Sequence, residues 1–152
     1  VAKGDRRAKA RSVVPAGRQG KAQPFASTQS DRPLFCFAHA DQNADPRWAF
    51  RPEDADAQEL FAFLCAMAKL TWREIEAMTA KGHKRHHHQD VESLCADARK
   101  DFKSRRFDET FGEGIFRFRL DGEKRLWGFR KGATFHVIWW DPRHAVYPTE
   151  PS

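Results

Sequence analysis

Long apolar runs are missing from this 152-residue chain. Nothing in it approaches the roughly 18 consecutive apolar residues that span a bilayer, so no transmembrane helix and no membrane partner are expected. The basic first residues have no apolar stretch behind them and do not read as a secretory signal. Cysteine is scarce: Cys36, Cys65 and Cys95 lie far apart, each among apolar neighbours. That usage predicts reduced, buried thiols in a cytoplasmic protein and argues against a disulfide framework. Tyrosine occurs once, as Tyr147, and no internal repeat is visible.

Phenylalanine and tryptophan, by contrast, are abundant, with 13 Phe and 5 Trp to build an aromatic core. The net charge of +6 is unevenly placed. Residues 1–30 hold seven bases against Asp5 alone, 7 − 1 = +6, so the rest of the chain balances. Residues 41–80 hold eight acids and four bases, and residues 99–131 eleven bases and six acids. The chain is therefore bipolar, with a basic leading segment. Residues 1–33, rich in Gly, Pro, Ser, Gln, Lys and Arg, read as a disordered basic arm, either merely solvated or in non-specific contact with nucleic acid. Residues 34–152 read as a single α+β domain.

Within that domain "PLFCFAH" and "RWAF" predict two strands of a hairpin joined by "ADQNADP". Leu60, Phe61, Leu64, Met67 and Ala68 form one stripe at helical spacing, behind an acidic first turn that suits the helix dipole. "TWRE" is a capping box for a short helix from Trp72 to about Met78. From Asp90 onward, Val91, Leu94, Cys95, Ala98 and Phe102 predict a further helix, with the polar "KSRRFDETFGEG" leading out of it. Then "IFRFRL", "KRLWGF" and "TFHVIWW" alternate as strands, separated by "DGE" and "RKGA". Phe116, Phe118 and Leu120 share one face of the first strand, and Arg117 and Arg119 the other. In the last, Phe135, Val137 and Trp139 oppose His136, Ile138 and Trp140. The expected fold is α+β: N-terminal strands and helices packed on one apolar face of a C-terminal three- to four-stranded antiparallel meander.

"RLWGFRKGATFHVIWWDPRHAVYP", residues 125–148, interleaves three tryptophans and the tyrosine with arginines and histidines. On an open polar face Arg117, Arg119 and His136 would share one surface, with Arg143 and His144 just past its edge. Cleaving a phosphodiester without a metal needs a base for the 2′-hydroxyl, a cation for the charge developing on phosphorus, and an acid for the leaving oxygen. Histidine titrates in the range both proton steps require, and arginine clamps phosphate in a bidentate way. An exposed Trp or Tyr would stack an unpaired base. Arginines on the open face of a sheet can equally do no more than solvate it.

The ending "RFRL-DGE-KRLWGF-RKGAT-FHVIWWDPRHAVYP" resembles the C-terminal meander of the RelE/ParE superfamily of bacterial toxins, including its YoeB branch. Members end in an Arg-bearing strand, a second strand of the type "HRLVY", and a last strand closing on a basic or His residue shortly before a Tyr. The resemblance covers roughly residues 90–148. It implies a RelE-like sheet and an mRNA endoribonuclease, free or ribosome-dependent, that works without metal or other cofactor and is silenced by an antitoxin protein. It places Arg125 where the YoeB-like arginine sits and Arg143, His144 and Tyr147 where the terminal catalytic group sits; with the polar-face reading, the candidates are Arg125, His144, His136 and Tyr147 for catalysis and Arg117, Arg119, Arg130 and Arg143 for phosphate. The chain departs from the family by its extra sequence around 34–80. Glu109 and Glu113 are the nearest stand-ins for a YoeB-type glutamate base. ParE-like members share the fold but act on DNA gyrase, so a non-enzymatic inhibitor of replication or translation stays open, as does a plain nucleic-acid-binding module.

Two other clusters carry polar chemistry. In "GHKRHHHQD" His83 and His87 are i, i+4 if helical, and His86 with Cys95 would complete a tetrahedral zinc set. The spacing fits no standard zinc motif, which leaves a solvated loop or phosphate contact by Lys81, Lys84, Arg85 and the histidines. In "HADQNADP" His39, Asp41 and Asp45 have the chemistry of a cation site but equally that of a turn bonding its own backbone, and the turn is the reading adopted.

Overall fold

The computed structural model describes residues 27–112 and 114–148. Of the arm expected over residues 1–33, residues 1–26 lie outside the described residues, as do Glu113 and residues 149–152. Chain order is β1 (Leu34–Cys36), α1 (Asp54–Met67), α2 (Trp72–Ala77), β2 (Thr79–Ala80), β3 (His83–Lys84), β4 (His87–Asp90), a 3-10 turn (Val91–Ser93), α3 (Ala96–Ser104), α4 (Phe107–Phe111), β5 (Gly114–Arg119), β6 (Arg125–Lys131) and β7 (Thr134–Asp141). Five strands form one mixed sheet in the order β1-β7-β6-β5-β4, and β2–β3 is a separate hairpin. Strands β4 to β7 are the antiparallel meander, and β1 joins its far edge parallel to β7. The fold is α+β, as expected. No helix among the described residues is long and apolar enough to cross a membrane.

Both faces of the sheet are covered, where one was expected. Phe116, Phe118, Leu126, Phe135, Val137 and Trp140 pack under Leu60, Leu64 and Met67 of α1 and Trp72 and Ile75 of α2. Ile115, Trp127, Phe129, Ile138 and Trp139 pack on the other side under Trp48, Val91, Leu94, Phe102 of α3 and Phe107 of α4. Burial on both faces explains why β7 reads as an almost continuous apolar run.

The alternation expected in β7 fails at one place. Trp127 pairs with Trp139 but Gly128 with Val137, so Ile138 is an extra residue in a β-bulge. The bulge turns Trp139 to the side of Ile138 and returns Trp140 to the side of Phe135 and Val137. Gly128 makes this possible. A Cβ there would collide with the His136 carbonyl oxygen and stand 2.7 Å from the Phe135 ring.

Other elements differ from their sequence patterns for local reasons. "RWAF" is a turn: the amides of Trp48 and Ala49 both donate to the Asp45 carbonyl, and Trp48 plugs the core. β1 therefore takes its partner from β7. Asp41 and Asp45 accept from the backbone of Asn43 and Arg47, each at 3.0 Å, as a turn requires. The Thr71–Glu74 capping box forms as expected. Phe61 is 70 % exposed, off the buried stripe of Leu60, Leu64 and Met67. Cys65 shares that outward side of α1 and is exposed, whereas Cys36 and Cys95 are half-buried. α4, read as a polar exit, forms because Phe107 and Phe111 sit four apart and cover Phe129. Residues 28–33, assigned to the arm by composition, are docked. The amides of Trp72 and Arg73 donate to the carbonyls of Asp31 and Gln29, and Pro33 is buried.

Candidate functional site

The segment "KGHKRHHHQD" is neither helix nor loop. Lys81 and Gly82, at φ 53° and 79°, form the two-residue turn of the β2–β3 hairpin, and His87–Asp90 continue as the outer strand of the meander. The helical premise of a zinc set is thereby overturned. Among the described residues no group of three or more His, Cys, Asp or Glu is placed to hold a metal.

Pairing of β4 with β5 aligns His87 with Arg117. Arg117 Nη2 donates to His87 Nε2 at 3.0 Å. Because a guanidinium can only donate, Nε2 carries the lone pair and the proton is on Nδ1, which donates to the His88 carbonyl at 2.8 Å. His87 is thus a neutral, fully oriented ring, and burial together with Arg117 and Lys84 keeps its pKa below the usual value. His86 points the other way, wholly buried against Phe63 and Phe118. Its Nδ1 accepts from the Arg119 amide at 3.0 Å. Burial, then Arg85, Arg117 and His87, push its pKa down to about 3.

The same end of the sheet collects positive charge. Arg119 pairs with Arg125, and Arg117 lies two residues along β5 on the same face. Arg117 and Arg125 are each 1 % exposed. Burial first, and then the neighbouring arginines, lower Arg117 to about 9 and Arg125 to about 10. Arg125 Nη1 donates to the carbonyls of Gly122 and Lys124 at 2.7 and 3.0 Å. His144, on the loop after β7, is 8 % exposed, and burial followed by Arg125, Arg117 and Arg119 drives it to about 4. The open polar face expected for Arg117, Arg119 and His136, with His144 past its edge, is absent: Arg117 and His144 are buried, and Val91, Ala98, Phe102 and Val146 pack on that side of the sheet.

A cleft of about 630 Å³ opens beside this cluster, bounded by β4, the β2–β3 hairpin and the C-terminal segment. Lys81, His83, Lys84, His87, His88, Arg119 and Tyr147 line it, with Asp90 as its sole carboxylate among the described residues. Of the residues singled out from the sequence, Lys81, His83, Lys84, His87, His88, Arg119 and Tyr147 reach the cleft, and Arg85 does not. Arg117, Arg125 and His144 stand behind its wall.

The remaining candidates lie elsewhere. His136 packs against Phe111 and His39 and pairs with Phe129, four residues along β6 from Arg125 and so roughly 13 Å away. Arg130 is a structural clasp: it stacks on Trp72, with its guanidinium carbon 4.2 Å from the ring centroid, and bonds Glu76, Thr28 and Gln29. Arg85 turns to the Arg119 carbonyl at 3.1 Å and to Asp121 at 3.8 Å. Arg143 is exposed on the turn after β7. Trp127, Trp139 and Trp140 are all core residues, at most 2 % exposed, so Tyr147 alone of that group can meet a ligand.

Sequence reasoning missed His87 as the partner of Arg117 because "HHQD" carries no strand alternation. It also passed over Asp141, whose signal was the Asp-Pro step after "WW". No protein family, curated protein or solved structure matches the chain.

Proposed function

We propose that the protein is a toxin-type endoribonuclease that cleaves RNA without a metal, with the cleft beside β4 as its substrate site. The observation carrying this reading is the lining: Lys81, Lys84 and Arg119 converge there with three histidines and a tyrosine, against Asp90 alone. Such a surface attracts a phosphodiester and an acidic protein alike, and it is the histidines and Tyr147 that favour RNA. Arg119 and Lys84 would meet the charge on phosphorus, and Tyr147 would stack an unpaired base. His88, whose pKa burial holds below the usual value, is the wall imidazole suited to accept the 2′-hydroxyl proton. His83, exposed on the hairpin, would protonate the leaving 5′ oxygen. The roles expected of Arg125 and His144 become supporting ones, behind Arg119. The resemblance over residues 90–148 supports the reading, while the extra sequence around 34–80 departs from that family. On this reading the protein acts in the cytoplasm and is restrained by an antitoxin.

A second reading, a non-catalytic RNA-binding module, is favoured by one detail: both ring nitrogens of His87 are already engaged. The test is a fluorescent single-stranded oligoribonucleotide incubated with the protein in EDTA. Cleavage to 2′,3′-cyclic phosphate ends is expected, lowered roughly 10²-fold by Arg119→Ala. Affinity that falls steeply with salt but without cleavage would select the binding module. Absence of binding would refute both and leave the protein-inhibitor class.

A further inference from the structure

We infer that Asp141 is a positioning residue for the proposed cleft, its carboxylate fixing the loop that presents Tyr147 in the wall and His144 behind it. Asp141 closes β7 and is fully buried. One carboxylate oxygen accepts from the Ala145 amide at 2.8 Å. The other accepts from the Val146 amide at 3.0 Å and from the Trp127 indole N–H at 3.3 Å. The returning loop is pinned once more where the Cys95 amide donates to the Val146 carbonyl at 2.9 Å.

Between these anchors the chain reverses through Pro142, Arg143 and His144, the last in the left-handed region at φ 57°. A β-substituted residue holds that conformation only when its surroundings fix it. The two amides captured by Asp141 are the immediate neighbours of His144 and Tyr147 in sequence. Trp127, itself buried between Arg117 and Trp139, ties the carboxylate to the sheet that also carries the arginines. Arg125 lies directly across from Asp141 in the β6–β7 register, so the same group faces the cationic cluster. One carboxylate therefore sets loop, tyrosine and arginines relative to each other. An amide cannot: an Asn in its place offers a single acceptor oxygen, and its NH₂ faces an N–H it cannot bond.

The inference rests on the proposed function only for the use made of Tyr147, and the experiment separates the two. Because Tyr147 is the sole tyrosine, uniform 3-fluorotyrosine labelling gives one ¹⁹F resonance reporting the cleft wall. In the folded wild-type protein one narrow line is expected, shifting on titration with a 12-residue oligouridylate. Asp141→Asn should broaden or split the line and weaken oligouridylate binding at least tenfold, while the Trp72 indole, bonded to Ala133 on the far side of the sheet, keeps its chemical shift. An unchanged, narrow ¹⁹F line in folded Asp141→Asn would overturn the inference. If oligouridylate leaves the wild-type line unmoved, the RNA reading fails while the positioning role is still decided by the variant's line. Should Asp141→Asn not fold, amide exchange in the wild-type protein decides. The Ala145 and Val146 amides should be protected like those of β7, and exchange at the rate of an open loop would overturn the clamp.

Discussion

Acid should destabilise this fold well before its carboxylates titrate. His86 and His144 have folded pKa values of about 3 and about 4, set first by burial and then by neighbouring arginines, against 6.5 when solvated. A histidine with a depressed folded pKa favours the native state fully above its unfolded pKa, and that contribution disappears as pH falls toward the folded value. At pH 5 the unfolded chain binds protons at both sites and the native state hardly any. Linkage then makes the fold less stable than at pH 7.5 by about 2 kcal/mol for each histidine. Asp141, whose carboxyl is raised by burial, acts in the opposite sense as pH falls. Urea unfolding followed by tryptophan fluorescence at the two pH values measures the difference. His86→Asn is the decisive variant, because its side-chain oxygen can keep accepting the Arg119 amide while the titration is removed. The pH 7.5 to 5 loss should shrink by about 2 kcal/mol in that variant, the share of His86. Equal stability of the wild-type protein at both pH values, or an undiminished loss in His86→Asn, would refute the argument that these rings are buried neutral.

Arg125→Ala should destabilise by about 2–3 kcal/mol, since it removes two hydrogen bonds, to the Gly122 and Lys124 carbonyls, and leaves a cavity beside the buried Asp141; a melt within a degree of wild type would mean the guanidinium is solvated after all. Gly128→Ala should prevent native folding or cost several kcal/mol, because the bulge leaves no room for Cβ, whereas Gly114→Ala, with nothing within 4 Å, should be nearly silent; circular dichroism of both variants checks the contrast. Phe61→Ser should change stability by no more than about 0.5 kcal/mol in urea titration, its ring being 70 % exposed on α1.

What the sequence made legible was set by local rules. The capping box at Thr71, the hairpin turns and the period-two runs of β5 and β6 each depend on residues within a few positions of one another, and each appeared as expected. The failures all involve an element whose state is decided at a distance. β1, a strand as expected, takes β7 and not "RWAF" as its partner, and "RWAF" turns to set Trp48 in the core against Trp139. "HHQD" has no strand pattern, yet it becomes the outer strand because the Arg119 amide finds His86 and Arg117 finds His87. The largest misreading, an open arginine-bearing face, has the same origin. Arg117 and Arg119 alternate with phenylalanines as a solvated face would, and a single strand cannot say whether something covers its polar side. α3 carries Ala98 and Phe102 to the middle of that face and leaves the arginines at its end, where the sheet stops being covered by apolar residues. Burying two guanidiniums at 1 % exposure is costly in any fold. A buried network fixed by carbonyls, a neutral imidazole and one carboxylate can bear that cost while still projecting a positive field into the cleft above it. Arg119, the arginine that lines the cleft, thus stands in front of two that do not.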